Sequence, residues 1–467
     1  MTIEKKFIPV VITAVLAFSI PPVYSQTTPD PFDELENEIA KLESEGSEED
    51  LAAYIEWRDQ YLANYQKFRE EHFGRLDDIR DQLINTWGES DISSATEVVV
   101  YSEDETTKTI IDLEKNEVRV SVLHDSKQPV TPDIIFDELN SLMNDDVKPL
   151  AFVEQLNIES TEPLVTQAVV SERSIPIVSN MTALIEKEKQ KIEAQALAQA
   201  REVEKIADIT VIETDQPIQE VEEAKLEEKV RTELVQINKE RQQRIDKLLE
   251  STKNAVNNDV KEALKDKKIT TYTMPLKQSN YIKKAERFQS YIYQYSEKWN
   301  ISQSLLFAIM HTESHFNPSA QSHIPAFGLM QIVPQSAGLD VNRFLYKKDE
   351  LMTKDYLFTP QKNIETGVAY VHILNSRYLS SITDPASRRY CIIAAYNTGA
   401  GNVAKTFNND GSRNIRKAAK IINSMTPEEV RQQLLNNLPY DETRKYLTKV
   451  LDRQTIYKPM DTGSNRI

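Results

Sequence analysis

Glu313 is the residue whose position invites chemistry. It follows Leu305, Leu306, Ile309 and Met310, three residues after the last of them and four after Ile309, so on a helix its carboxylate ends an apolar stripe. A carboxyl group there is partly desolvated, which favours its neutral form, and a neutral glutamic acid can hand its proton to a leaving oxygen as general acid. For an arbitrary glutamate a solvated helix end is the commoner outcome, so the neighbourhood has to decide. His311 and His315 bracket Glu313 at the spacing of helical metal ligands. A metalloprotease helix places Glu directly after the first His, however, whereas Glu313 is two residues on and points away from the pair, and no third ligand follows; no metal is expected. Cys391 lies in the run Cys391-Ile392-Ile393-Ala394-Ala395 and reads as a small buried hydrophobe, not a nucleophile. As the only cysteine it excludes an internal disulfide, a thiolate cluster and a lipid-accepting cysteine near the start.

The helix carrying Glu313 has its own start signals: Ser302 can cap it, and Ile301 can pack on Leu306 as a hydrophobic staple. Behind Glu313-Ser314 come Ser322, then Gly328-Leu329-Met330-Gln331-Ile332-Val333-Pro334, Asn363-Ile364-Glu365-Thr366-Gly367, Ala395-Tyr396-Asn397-Thr398-Gly399, and Leu438-Pro439-Tyr440 with Glu442-Thr443-Arg444-Lys445-Tyr446. Together, in this order over about 150 residues, these motifs resemble the transglycosylase domain of lytic murein transglycosylases, which has a lysozyme-like helical fold. Ile324-Pro325-Ala326-Phe327, Pro385-Ala386-Ser387-Arg388-Arg389-Tyr390 and Ile421-Ile422-Asn423-Ser424-Met425-Thr426-Pro427 narrow the resemblance to the murein transglycosylase C branch. Thr86-Trp87-Gly88 followed by Glu97-Val98-Val99-Val100 is similar to the amino-terminal domain of that branch, over roughly residues 30 to 150. Two features depart from it: the lipobox cysteine usual at the signal cleavage site is missing, and residues 155 to 268 have no counterpart.

The resemblance implies a non-hydrolytic reaction on peptidoglycan glycan strands that needs no cofactor. One glutamate, here Glu313, protonates the oxygen of the MurNAc-GlcNAc β-1,4 bond and then takes a proton from the muramoyl C6 hydroxyl, which closes a 1,6-anhydro ring. Carried over by position, Ser322 hydrogen-bonds the muramoyl acetamide or C6 region, Met330 and Gln331 line the cleft, Tyr396 and Asn397 contact the sugar, and Glu442 and Tyr446 flank the peptide side. By residue type alone the alternatives are a loop serine at Ser322, a core aromatic at Tyr396 and a surface acid at Glu442. Two other functions stay open: a muramidase-type hydrolase with a second acid among Asp340, Asp349, Glu365 and Glu442, and a non-catalytic wall-binding protein.

These residues need elements to hold them, and 467 residues suggest two or three units. Lys5 and Lys6, the apolar run Phe7 to Ile20, and Pro21 to Ser25 read as a signal peptide over residues 1–25, because the run is shorter than the roughly 20 residues of a membrane span. The expectation is an exported, periplasmic protein without an integral span, with peripheral cell-wall or outer-membrane association left open. Residues 281 to 467 hold 24 Lys plus Arg against 16 Asp plus Glu, so the net charge of -17 hides a basic third behind an acidic remainder. The overall acidity argues against nucleic acid, and the basic third suits an anionic polymer.

The fold class expected is mainly α: an amino-terminal α+β domain over 26–155, a charged helical or linker segment over 156–270, and a lysozyme-like helical domain over 271–467. Helical spacing runs from Phe32 to Trp87, strands are expected at 97–101, 108–113 and 118–122, and helix returns from Asp133 to Met143. Leu226, Val230, Leu234 and Ile237 share one face of the charged segment, which Pro217 divides; self-association through that face is an open partner reading.

Overall fold

Glu, Leu, Ala, Lys and Arg at helical spacing produce a 40-residue helix α1 (Glu48–Trp87), which stops at Gly88. It opens a computed structural model that describes residues 48–128, 130–144, 165–209, 216–257, 260–276 and 281–461. The signal peptide expected at 1–25 and the helix expected from Phe32 up to residue 47 lie outside the described residues.

Three strands follow where period-two alternation places them: β1 (Glu97–Tyr101), β2 (Thr107–Asp112) and β3 (Glu117–Asp125). Helix α2 (Pro132–Asn144) lays Ile135 and Leu139 on the apolar face of the sheet, against Val98, Ile111, Val118 and Val120. The expected domain boundaries need correction here. Strands β4 (Val169–Ser174) and β5 (Lys267–Pro275) complete the same sheet, in the order β1-β2-β3-β5-β4, every pair antiparallel. β5 sits between β3 and β4, in register with β3 from Glu117↔Pro275 to Asp125↔Lys267. Residues 156–270 are therefore not a linker between two domains; their charged part is an excursion that leaves one sheet and returns to it. β5 escapes a sequence reading because its inward residues Thr270, Tyr272 and Met274 alternate within a Lys- and Thr-rich stretch that continues a helix-like composition.

The excursion forms helices α3 (Met181–Ile209) and α4 (Gln216–Asn257), with Pro217 in the first turn of α4. Both pack on α1, burying Leu62, Tyr65, Ala196, Val203, Ile206, Leu226, Val230 and Ile237 together. The stripe anticipated on α4 is real, but it is filled from within the chain, so it offers no seam to a second copy. Ion pairs set the register of this layer: Arg69 with Glu233 at 3.1 Å, and Arg244 with Asp77 at 2.9 Å.

The carboxyl-terminal unit is built from α5 (Gln289–Trp299), α6 (Gln303–Ser314), α7 (Pro360–Ile373), α8 (Pro385–Thr398), α9 (Ala400–Phe407), α10 (Pro427–Asn437) and α11 (Asp441–Tyr457). Every residue of α6 from Leu305 to Met310 is buried, as are Cys391 to Ala395 of α8, so these two stretches are apolar all round and form the centre of the unit. The chain signals its helix starts clearly: Asp384 accepts from Ser387 N at 2.7 Å ahead of Pro385, and Thr426 with Glu429 forms a capping box. The two halves of the chain hold each other. The Tyr61 hydroxyl donates to Gln335 O at 2.6 Å, His72 Nε2 meets His323 O at 2.8 Å, and Lys449 pairs with Glu114 at 2.7 Å.

Candidate active site

Ser302 starts α6 by accepting from Leu305 N at 3.3 Å, and His315 stops it in the left-handed conformation at φ 51. Glu313 thus occupies the last turn, beyond the stripe of core residues, as its spacing requires. The hydroxyl of Tyr446, on α11, donates to Glu313 Oε1 at 2.7 Å. Burial pushes the Glu313 carboxyl up to about 7, while the Tyr446 hydrogen bond and the charges of Lys205 and Arg201 pull it down and Glu442 adds to the rise. A group poised there can both give and receive a proton near neutrality. Tyr446→Phe removes a donor to the charged form and leaves the burial in place, so the carboxyl should rise further. The alkaline limb of kcat/KM against pH should then move to higher pH; a limb that stays put or moves down would assign it to another group.

The Gly328-Leu329-Met330-Gln331 loop is tied down beside Glu313 from three directions. Ser314, the next residue of α6, donates its hydroxyl to Leu329 O at 2.7 Å. Asn363, buried on α7, accepts from Met330 N at 2.8 Å and donates to Phe327 O at 2.7 Å and Leu357 O at 2.8 Å. Tyr396 on α8 donates its hydroxyl to Met330 O at 2.8 Å. Gly367 leaves the room that Met330 fills, since a Cβ there would lie 2.3 Å from Met330 Sδ.

The residues singled out in the sequence therefore fall into different places. Glu313 and Tyr446 touch. Met330 is wholly buried against Gly367, so its side chain packs the loop and does not line an open cleft. Tyr396 is buried with its hydroxyl on that loop. Gln331, at φ 47, donates to Ala320 O at 3.1 Å and Gly328 O at 2.9 Å, while its Oε1 is buried without a protein partner among the described residues. Asn397 accepts from the Thr443 hydroxyl of α11 at 2.7 Å. Glu442 exposes much of its side chain and pairs with Arg201 at 2.7 Å. Ser322 spends its hydroxyl on its own turn, donating to Ile324 O and accepting from Ala326 N at 3.4 Å, and is not brought to Glu313.

Asn363 and Thr443 stand in motifs visible in the sequence, but nothing in residue type distinguished them from their neighbours. Arg201 and Lys205 come from α3, where the sequence carries no signal of a site. Of the other candidate acids, Asp340 is buried with the Tyr378 hydroxyl at 3.0 Å, and Glu365 pairs with Lys362 at 3.5 Å. Asp349 pairs with Arg343. His311 shares a 2.8 Å hydrogen bond with the Tyr457 hydroxyl, and Arg453 approaches both His311 O and His315 Nε2. Burial and the Arg453 charge push His315 down to about 3, and a cation beside both rings disfavours a second one. No three metal-ligating side chains converge among the described residues.

Helix-borne acid, tethered loop and facing tyrosine lie in one ordered run of motifs. Residues 290–419 match the family model of the transglycosylase SLT domain. Relatives of that kind include a membrane-bound lytic murein transglycosylase C from Klebsiella pneumoniae (strain 342), 45% identical over 190 residues that make up 41% of this chain and 51% of that protein. One of the same name from Cronobacter sakazakii is 44% identical over an equal span. The matched stretch thus covers about half the length of these relatives. A solved structure of an inactive mutant of the lytic transglycosylase Slt from Pseudomonas aeruginosa is similar over 38% of this chain and 26% of that one, at 25% identity and a TM-score of 0.28. Glu313, the Met330-Gln331 loop and Tyr396 all lie inside the span that matches the transglycosylase SLT domain.

Proposed function

We propose that this chain is a peptidoglycan lytic transglycosylase, exported and held at the cell envelope, that cleaves the MurNAc-GlcNAc β-1,4 bond to leave 1,6-anhydromuramoyl ends in cell-wall turnover or remodelling. The observation that carries this is the Tyr446–Glu313 hydrogen bond at 2.7 Å around a carboxyl that burial raises to about 7. Protonated Glu313 gives its proton to the glycosidic oxygen as the C1–O bond breaks. The resulting carboxylate, held by the Tyr446 hydroxyl, takes the proton of the muramoyl C6 hydroxyl while that oxygen bonds to C1. The proton count closes on Glu313, and no water enters. A single carboxylate suffices because the nucleophile belongs to the substrate and is already in reach.

The relatives' names specify lytic murein transglycosylases that are membrane-bound, which supports an envelope location. No described helix of this chain is long and apolar enough to cross a membrane, so peripheral attachment is the form proposed. Digestion of purified sacculi, with the soluble muropeptides weighed by mass spectrometry, tests the reading. Anhydromuramoyl products, one water lighter than reducing ends, are expected. Reducing ends would favour a hydrolase, with Glu442 as the acid whose charge reaches Glu313, and no release would leave a wall-binding protein.

A further inference from the structure

One face of the five-stranded sheet lies against α2. The other is covered at one end, where Trp87, Leu123, Ile175 and Ile269 pack together, and beyond that end lies a polar shelf with a volume of about 490 Å³. Strand register builds its floor. Lys108, Ser121, Thr271 and Ser171 stand opposite one another on β2, β3, β5 and β4, and Ile110, Arg119 and Thr273 form the next row. Directly opposed residues share a face, so hydroxyl groups lie between cations, with those of Ser121 and Thr271 2.9 Å apart.

The charges on the shelf are sorted by depth. Lys108 has 1% of its side chain exposed and lies between Glu89 at 2.7 Å and Asp91 at 2.8 Å, with its ammonium 4.8 Å from the centre of the Trp87 ring. The two acids are nearly as deep, at 6% and 20%. Arg173 pairs with Glu89, and Lys187 with Asp91 at 3.2 Å, yet these two bases are 42% and 50% exposed. Arg119 borders the shelf on the other side, held by Glu97 at 3.0 Å and Glu117 at 2.9 Å. The lining thus sets four bases, Lys108, Arg119, Arg173 and Lys187, against Glu89 and Asp91. That surplus runs against the acidic composition of this part of the chain. A merely solvated sheet face also has no need of a buried lysine: desolvating Lys108 with its two acids costs stability, and what it secures is the placement of Arg173 and Lys187 above them.

We propose that this shelf is a second contact with the wall, a site for the free carboxylates of a peptidoglycan stem peptide, separate from the residues around Glu313. The surplus of positive charge selects an anion, and a guanidinium suits a carboxylate because it can offer two parallel N–H donors. The hydroxyl floor suits peptide amides, which both donate and accept. In peptidoglycan the carboxylates belong to the stems, since the sugars carry none once a stem is attached. The inference rests on the lytic transglycosylase reading, which makes peptidoglycan the material at hand. A held stem keeps the chain on the wall between one cleavage and the next.

The test titrates the full chain with the free tripeptide L-alanyl-γ-D-glutamyl-meso-diaminopimelate by calorimetry and maps the contact by amide hydrogen exchange. Binding is expected, with protection over residues 169–174 and 267–275, and it should weaken as salt rises. The double variant Arg173→Gln with Lys187→Gln changes exposed side chains, so its melting temperature should hold while affinity falls at least about tenfold. The same peptide with its carboxylates amidated should not bind. Equal binding of the amidated peptide, undiminished affinity in the double variant, or protection confined to residues 328–331 would overturn the proposal. So would binding of inorganic phosphate or of phosphatidylglycerol vesicles that depends on Arg173 and Lys187 while the peptide fails to bind. Peptide binding at the shelf by a chain that releases no anhydromuramoyl products from sacculi would keep the site and remove the lytic reading.

Discussion

Glu313→Gln should abolish the release of anhydromuramoyl products and leave the protein folded. Glutamine keeps an oxygen where the Tyr446 hydroxyl donates, so the local geometry has no reason to change. What it loses is the exchangeable proton. General acid or base catalysis by one group contributes about 10²- to 10⁴-fold, and here a single carboxyl serves in both directions, so a loss of at least about 10³-fold is expected.

A second readout separates this from simple damage. The carboxyl rises from 4.5 to about 7 on folding, so between those values the folded state binds more protons than the unfolded one. Its burden on stability is absent below pH 4.5, grows as pH rises, and is complete above 7. The Glu313→Gln protein should therefore melt higher than the unmodified chain above pH 7, and the difference should close in acid. Retained cleavage by this variant would sink the assignment of Glu313 as the acid.

Asn363→Leu should cost roughly 3–5 kcal/mol of stability, since it strips partners from several buried backbone groups at once, each worth about 1–3 kcal/mol. Phe327 O keeps another donor, Ile332 N at 3.1 Å, but Met330 N faces a methyl group instead of an acceptor. Freed from α7, the loop loses the register that sets Met330 O on Tyr396 and Leu329 O on Ser314, the residue after the acid, so cleavage should fall with stability. Denaturant unfolding reads the first effect as a lower midpoint at unchanged slope, and the sacculus assay reads the second. An unchanged midpoint would mean that Ser314 and Tyr396 hold the loop unaided.

What the sequence made legible follows from how local each signal is. Glu313, the cap at Ser302 and the stop at Gly88 depend on neighbours within one or two turns, and the first three strands depend on alternation over a handful of residues. The Gly-Leu-Met-Gln and Asn-Ile-Glu-Thr-Gly runs were visible as patterns, but the division of labour inside them was not. That Met330 packs into the gap left by Gly367, and that Asn363 serves three backbone groups, are facts about residues far apart in the chain. Ser322 shows the converse: its hydroxyl could reach a sugar by type, yet it is taken by its own turn. The hardest feature to foresee was α3. Its charges look like a solvated helix face, and only the opposing charges of a distant unit turn them into a buried contact.

The place of β5 in the sheet has a consequence for how the molecule comes into being. The strand that completes the hydrogen bonding of β3 is supplied some 150 residues later, across the whole helical excursion. Pairing so remote in sequence carries a loop-closure cost that local helices do not bear, and it is slow to form. As the chain emerges, the α+β unit cannot close until residue 275 has followed. The helices of the excursion can form before then, which leaves β3 as a half-satisfied edge while the chain lengthens. The timing of synthesis is thus written into the strand order: the sheet waits for the interior strand that joins β3 to β4.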